Sequence, residues 1–300
     1  LKITENEIVA NMGKNKPKSR AKSAILRSVT KGRPPLARPA IPALSAKATR
    51  SLIRSHHNLN KAHATALAAN DTAKAATIDA EIKAKGGLES YQLASTIGQS
   101  SSRGGDSSKV LVEWLKADFA KANVNGERLR MLEVGALSMT NACSHVSCLD
   151  IDRIDLHAQM PGIREIDFME LPLPVTETER YHIVSLSLVL NFVPEAPARG
   201  EMLRRIPKFL RRVTDTAEKF ASYLFFVLPL PCVENARYMD EARLGFILQS
   251  LGFTNVHVKK TTKLYYSLWR YDEATNLDQK FAKKELRSGG KRNNFAIVLQ

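Results

Sequence analysis

The sequence predicts an α/β chain built on a doubly wound, mostly parallel sheet with its last strand antiparallel, preceded by a helical extension and a basic tail. Three observations predict it. From Arg128 onward short apolar runs alternate with helical patterns, the signature of parallel strands joined by covering helices. The 300 residues exceed one ordinary domain without room for two full ones, so one core with an appendage is expected. The charge is lopsided: Leu1–Lys61 hold 14 Lys/Arg against Glu5 and Glu7, and of the total of +15 only +3 falls on the other 239 residues.

Residues 1–50 form the basic tail. Stretches such as Lys14-Asn15-Lys16-Pro17-Lys18-Ser19-Arg20 and Lys31-Gly32-Arg33-Pro34-Pro35 are too polar and proline-broken to bury a core. Their expected partner is a phosphate backbone, bound through counterion release. A nuclear address or a solubilising tail would have the same composition.

Residues 51–127 read as helical. Leu52, Ile53, Leu59, Leu67, Ile78 and Ile82 recur among alanines over Ser51–Lys85, and Gly86-Gly87 ends the run. A second helical piece, Leu88–Ile97, leads through Gly98–Gly105 to Asp106 or Ser107. Either is a ready N-cap for Lys109–Ala122, whose apolar face is Val110, Leu111, Trp114, Leu115 and Phe119.

Residues 128–300 carry the sheet. Strands are expected at Leu129–Val134, around Cys148–Leu156, at Ile166–Asp167, His182–Leu190, Ala221–Leu228, Val256–Thr261 and, closing the order, Phe295–Leu299, with helices at Gly200–Arg212 and Ala236–Leu251. No stretch approaches the roughly 20 apolar residues of a spanning helix, and Cys143, Cys148 and Cys232 make neither a disulfide framework nor a CxxC metal site. A soluble, intracellular protein without a metal is the expectation.

Ligands of open α/β sheets bind at the carboxyl ends of the strands near the topological switch. The first strand leaves through Met131-Leu132-Glu133-Val134-Gly135-Ala136, where Gly135 lets backbone approach a ligand and Glu133 can meet a cationic amino group. The full GxGxxG of a pyrophosphate cradle is missing, which favours a ligand without pyrophosphate. Asp150, Asp152 and Asp155 compete to hold ribose hydroxyls; Asp155, set between apolar neighbours just ahead of Pro161-Gly162, has strand-end placement. Twelve residues on, Asp167 can accept from an adenine amino group, with Phe168 or Met169 against the base.

These segments, together with Tyr91–Ser95, Gly98-Gln99, Arg103–Lys109 and Leu228-Pro229-Leu230-Pro231-Cys232, resemble the fungal large-subunit (25S) rRNA adenine-N(1)-methyltransferases, whose distant animal relatives act as S-adenosylmethionine sensors. The resemblance runs from about Tyr91 to Gln300. It implies a class I, Rossmann-like methyltransferase domain over 128–300 and S-adenosyl-L-methionine as cofactor, held by Gly135 and Asp155. It also implies large-subunit rRNA or pre-ribosomal particles as partners and a nuclear, nucleolar location; a monomer is expected.

N1 of an unpaired adenine already offers a lone pair, so methyl transfer can rest on alignment more than on a strong base. The fourth strand exits through Asn191-Phe192, where Asn191 can bond the base edge and Phe192 can stack on it. The Asp/Asn-Pro-Pro-aromatic tetrapeptide of exocyclic-amine methylation is absent, which favours N1. Arg103 and Lys109 are candidates for the cofactor's carboxylate or an RNA phosphate. Two alternatives stay open: a cytosine-directed RNA methyltransferase using Cys232 as nucleophile, and a cofactor sensor without catalysis, which has no evident need of the basic tail.

Overall fold

A computed structural model describes residues 46–87, 105–158, 160–212, 220–273 and 279–300. The tail up to residue 45, the helical piece expected at Leu88–Ile97 and the loop through Arg103 lie outside them.

Two helices, α1 (Ala46–Ala68) and α2 (Thr72–Ala84), form a hairpin closed by Ala66, Ala75 and Ile78, with Leu59, Ala62 and Ile82 against them. A single helix was the expectation across this stretch. It breaks because Asn70 turns into the left-handed region (φ +55°) and Asp71 accepts the Lys74 amide at 3.0 Å, which starts a new helix. The predicted Lys109–Ala122 helix is likewise two, α3 (Ser108–Trp114) and α4 (Lys116–Asn125), and it ends on Gly126 at φ +68°.

The sheet has seven strands: β1 Leu129–Val134, β2 Leu149–Asp155, β3 Arg164–Glu165, β4 Ile183–Ser187, β5 Tyr223–Pro229, β6 Phe253–Lys260 and β7 Leu264–Tyr271. Their order is β3-β2-β1-β4-β5-β7-β6. β1 pairs in parallel with β2 and β4, so the winding reverses beside it, and β7 lies antiparallel between β5 and β6. This is the class I methyltransferase arrangement expected from the sequence.

Alternation along the central strands sorts side chains between two cores. Leu224, Phe226 and Leu228 of β5 pack with Leu203 of α5 (Ala196–Arg205) and with Leu244 and Leu248. Phe225 and Val227 of the same strand pack with Leu111, Leu115 and Phe119 on the other face. The helix α6 (Pro231–Glu234) follows β5, and α7 (Glu241–Ser250) starts where Asp240 accepts the Arg243 amide at 2.8 Å.

Several boundaries differ from expectation for physical reasons. The strand placed at Ile166–Asp167 is Arg164–Glu165, and Asp167 begins a turn whose Glu170 and Leu171 amides donate to its carbonyl. The fourth strand stops at Ser187, because Leu188 takes φ +58°. The helix expected over Gly200–Arg212 gives way to a 3₁₀ turn at Ile206–Lys208, where Pro207 supplies no amide. The helix begun on paper at Ala236 starts only after Asp240.

The largest correction concerns Phe295–Leu299. That segment joins no strand of the sheet; it is a buried strap, with Val298 donating to Ala196 O at 3.0 Å and Leu299 bridging Phe281. The closing antiparallel strand is β7, which sequence reading passed over.

Candidate active site

At the exit of β1 the Gly135 and Ala136 amides both donate to Ile154 O of β2, at 2.8 and 3.1 Å, which forces a sharp turn. Gly135 makes it at φ +76°, and a Cβ there would stand 2.5 Å from the Val189 Cγ2 methyl. Conformation and space therefore both demand glycine, and the bare backbone leaves a cradle between the ends of β1 and β4 that a Cβ would fill.

Beneath this turn lies a charged network. Glu133 and Arg153 are register partners on adjacent parallel strands, so their side chains share a face. Arg153 Nε is 3.2 Å from Glu133 Oε2, a charge contact without an aligned hydrogen bond. Asn141 Nδ2 donates to Glu133 Oε1 at 2.6 Å, and Arg153 also donates to Ser144 Oγ at 2.7 Å. Burial pushes the Glu133 carboxyl above its ordinary range, while Asn141 and Arg153 pull it back. Both its oxygens are thus engaged from within the protein.

Asp106 fastens α3 to the same place. Its Oδ1 accepts the Ser108 amide at 2.9 Å and Ser108 Oγ at 2.6 Å, and its Oδ2 accepts the Ala142 amide. One residue on, Ser107 Oγ meets Ser187 Oγ of β4 at 2.8 Å. The start of α3 therefore links the β1 turn to the end of β4. Lys109 is exposed on α3.

The three candidate ribose acids separate cleanly. Asp150 is exposed, and Asp152 is engaged by Arg130 and the Tyr181 hydroxyl, each at 2.7 Å. Asp155 ends β2 one position beyond Ile154, beside the Gly135 turn, and is half-buried; burial raises its carboxyl, against the His157 amide at 2.8 Å. Asp167 Oδ1 accepts the Met169 amide at 2.8 Å, and Arg205 holds this turn by donating to Phe168 O at 3.0 Å and to Leu171 O.

Phe168, expected against the adenine, lies in the core. It is buried, its ring 5.2 Å from Phe209. The apolar side chains left open beside the two acids are Leu156, 58% exposed, and Met169, 37% exposed.

At the exit of β4, Asn191 is half-buried, and its Oδ1 is buried without a hydrogen-bond partner. Phe192, also half-buried, turns back through its amide to Val189 O at 2.9 Å. The following loop is fixed by Arg199, a buried guanidinium that donates to Val193 O, Pro194 O and Ala296 O at 2.8, 3.2 and 2.7 Å and lies over the Phe295 ring. Sequence reading missed Arg199, Arg153 and Asn141, because nothing local marks a polar side chain whose partners lie on other segments.

Cys232 is buried in the core, and burial pushes its thiol up to about 12, so no thiolate forms near neutral pH. Burial therefore works against a cysteine nucleophile at this position. Among the described residues no cluster of His, Cys, Asp and Glu is arranged to hold a metal ion, and no helix is long and apolar enough to cross a membrane.

The residues fit an adenosine-bearing cofactor: a glycine cradle, a strand-end carboxylate for a diol, and a second acid on the next turn with apolar cover. Comparison with known proteins adds the chemistry. A family model described as "25S rRNA (adenine(2142)-N(1))-methyltransferase, Bmt2" matches residues 76–297. The 25S rRNA (adenine(2142)-N(1))-methyltransferase of Saccharomyces cerevisiae is 38% identical over 221 residues, 73% of this chain and 62% of the relative, so the chain spans less than two thirds of that protein. The 25S rRNA adenine-N(1) methyltransferase of Schizosaccharomyces pombe is 34% identical over 249 residues, 82% of this chain and 89% of the relative. Among solved structures, the N-methyltransferase NodS of Bradyrhizobium japonicum with S-adenosyl-l-homocysteine aligns over 52% of this chain and 85% of its own, with a TM-score of 0.36 and 12% identity.

Proposed function

The chain belongs to the Bmt2 family of 25S rRNA (adenine-N(1))-methyltransferases, and from that premise we propose that it transfers a methyl group from S-adenosylmethionine to N1 of an adenine in large-subunit rRNA. Bound at the β1 exit, S-adenosylmethionine supplies an electrophilic methyl carbon. Gly135 gives it backbone room, Asp155 accepts from the ribose hydroxyls, and Asp167 with Leu156 and Met169 receives the adenine. The Glu133–Arg153–Asn141 network holds the turn and sets its charge.

The observation that carries the substrate reading is the unpartnered, buried Oδ1 of Asn191. A buried acceptor left unpaired costs about 1–3 kcal/mol, and a ligand donor relieves that cost. The exocyclic amino group of adenine is such a donor, and it lies next to N1 on the base edge. In the same pose a guanine or uracil would present a keto oxygen there, while a cytosine would present an amino group as adenine does. Asn191 thereby orients the base, Phe192 gives it an apolar wall, and no proton need leave N1 before attack. The basic tail is read as a phosphate-backbone contact, and the setting as the nucleolus, on pre-ribosomal particles, with the protein acting as a monomer.

The test is to digest large-subunit rRNA from cells lacking the protein and quantify 1-methyladenosine by mass spectrometry. Wild type is expected to restore the nucleoside. Gly135→Arg is expected not to, and Asn191→Ala to restore at most a tenth of the rate while still binding S-adenosylhomocysteine. Unchanged 1-methyladenosine in the deletion strain would overturn the reading.

A further inference from the structure

We propose that residues 279–293 form a second phosphate-binding surface, which grips the RNA backbone on the strand-exit side of the molecule; this rests on the rRNA reading above. The segment holds six cations, Lys280, Lys283, Lys284, Arg287, Lys291 and Arg292, against the single carboxylate Glu285. The modest charge of the chain beyond its tail is therefore gathered in one short stretch.

Its position follows from its hydrogen bonds. Asn293 Nδ2 donates to Pro231 O at 2.6 Å, the Asn293 amide to Asn235 O at 3.0 Å, and Asn235 Nδ2 to Lys291 O at 3.3 Å. Pro231 directly follows Leu230 at the carboxyl end of β5, the neighbour of β4 whose exit carries Asn191. The Lys291–Asn293 end of the arm therefore stands one strand away from the exit that carries Asn191.

Two features separate it from an ordinary solvated charge run. It is fastened down: the Leu286 amide donates to Arg237 O at 2.8 Å, Arg287 to Glu234 O at 2.6 Å, and Arg237 to Gly289 O at 3.0 Å. Cations on a fixed backbone lose less freedom on meeting a phosphate than those on a mobile tail. The acids around it are also already engaged, Glu285 by Arg237, Asp240 by Arg287, and Glu234 and Glu241 by Lys260. Lys280, Lys284 and Lys291 are exposed and meet no carboxylate among the described residues, and Lys283 lies 4.4 Å from the centre of the Tyr238 ring. An array of exposed, like-charged groups without apolar anchors suits a polyanion better than a protein partner.

The experiment uses the full chain and its Lys280→Ala/Lys284→Ala/Lys291→Ala variant. Binding of a fluorescein-labelled 20-nucleotide oligoadenylate is measured by anisotropy from 50 to 300 mM salt, with S-adenosylhomocysteine binding as the check on folding. Three lost phosphate contacts should flatten the slope of log K against log salt by about 2 and weaken binding by at least tenfold at the lowest salt. The tail contributes equally to both proteins, so the difference isolates the arm. An unchanged slope, or no binding of the oligonucleotide by wild type, overturns the proposal. Equal loss on polyglutamate overturns its assignment to RNA. Arm-dependent binding without any 1-methyladenosine in the cellular assay would leave the surface standing and sink the catalytic reading instead.

Discussion

Gly135 is the most constrained position in the proposed cofactor site. Alanine there would hold a left-handed conformation at roughly 1–2 kcal/mol and would also strike the Val189 methyl. Gly135→Ala is expected to weaken S-adenosylhomocysteine binding at least tenfold in calorimetry, and Gly135→Ala/Val189→Ala to recover part of that loss, since it relieves the overlap but not the backbone. Equal losses in the single and double variants would show that the contact is irrelevant. Asp155 makes a different prediction, in pH. Burial raises its carboxyl, so the folded chain takes up that proton at a higher pH than the unfolded chain. Acidification through this range favours the fold at this residue, yet it removes the charge that accepts from a diol. Cofactor affinity of the wild type should therefore fall on acidification from above the range of a free aspartate, with Asp155→Asn weak by ten- to hundredfold and flat. A parallel pH profile in the two proteins would exclude Asp155 from that role. The strand-end placement of Asp155 was legible, whereas the burial of Phe168 was not, because an apolar residue after an acid looks the same in sequence whether it faces the core or a ligand.

The elements were legible where their pattern was local. β1 and β5 stand out as apolar runs because both faces of each are largely covered. β7 did not: Leu264-Tyr265-Tyr266-Ser267-Leu268-Trp269-Arg270-Tyr271 mixes a polar serine into its centre, and only the fold shows Ser267 buried with its hydroxyl on Phe226 O at 3.2 Å. The strap at Phe295–Leu299 is the converse, an apolar run that looks like a strand but packs against a helix. Its seat depends on Gly200 of α5, where a Cβ would overlap the Val298 carbonyl oxygen, an atom of the main chain that cannot swing aside. Gly200→Ala should destabilise the protein by about 1–3 kcal/mol in denaturant titration. It should also speed hydrogen exchange at Phe281 and Leu299, whose amides donate to one another's carbonyls. Protection at those two amides equal to wild type would show that the strap is seated by other contacts.

Taken as a whole, the molecule divides its labour along the sequence. Residues 1–43 hold ten Lys/Arg against two acids, while the sheet supplies the Gly135 turn and the buried Asn191 acceptor. Removing residues 1–43 is expected to lower RNA affinity and flatten its salt dependence while leaving S-adenosylhomocysteine affinity unchanged. A fall in cofactor affinity on truncation would show that the two ends cooperate in one site. The division also explains what the sequence could reveal. Charge bias and strand-end acids are local signatures, but the Arg199 clamp joins residues 97 positions apart and leaves no local trace.

That clamp also has a bearing on the time course of synthesis. The loop bearing Asn191 is secured through Arg199 to Ala296 and Phe295, so its anchor is made about a hundred residues after the loop itself. At roughly 5–20 residues per second, the interval is on the order of 5–20 s. During it, the strands that cradle the cofactor have already been translated while the mouth that receives the base still lacks its brace. On the proposed function, a growing chain thus passes through a stage in which the cofactor cradle precedes the finished substrate site, and competence for methyl transfer arrives only once the strap has been made.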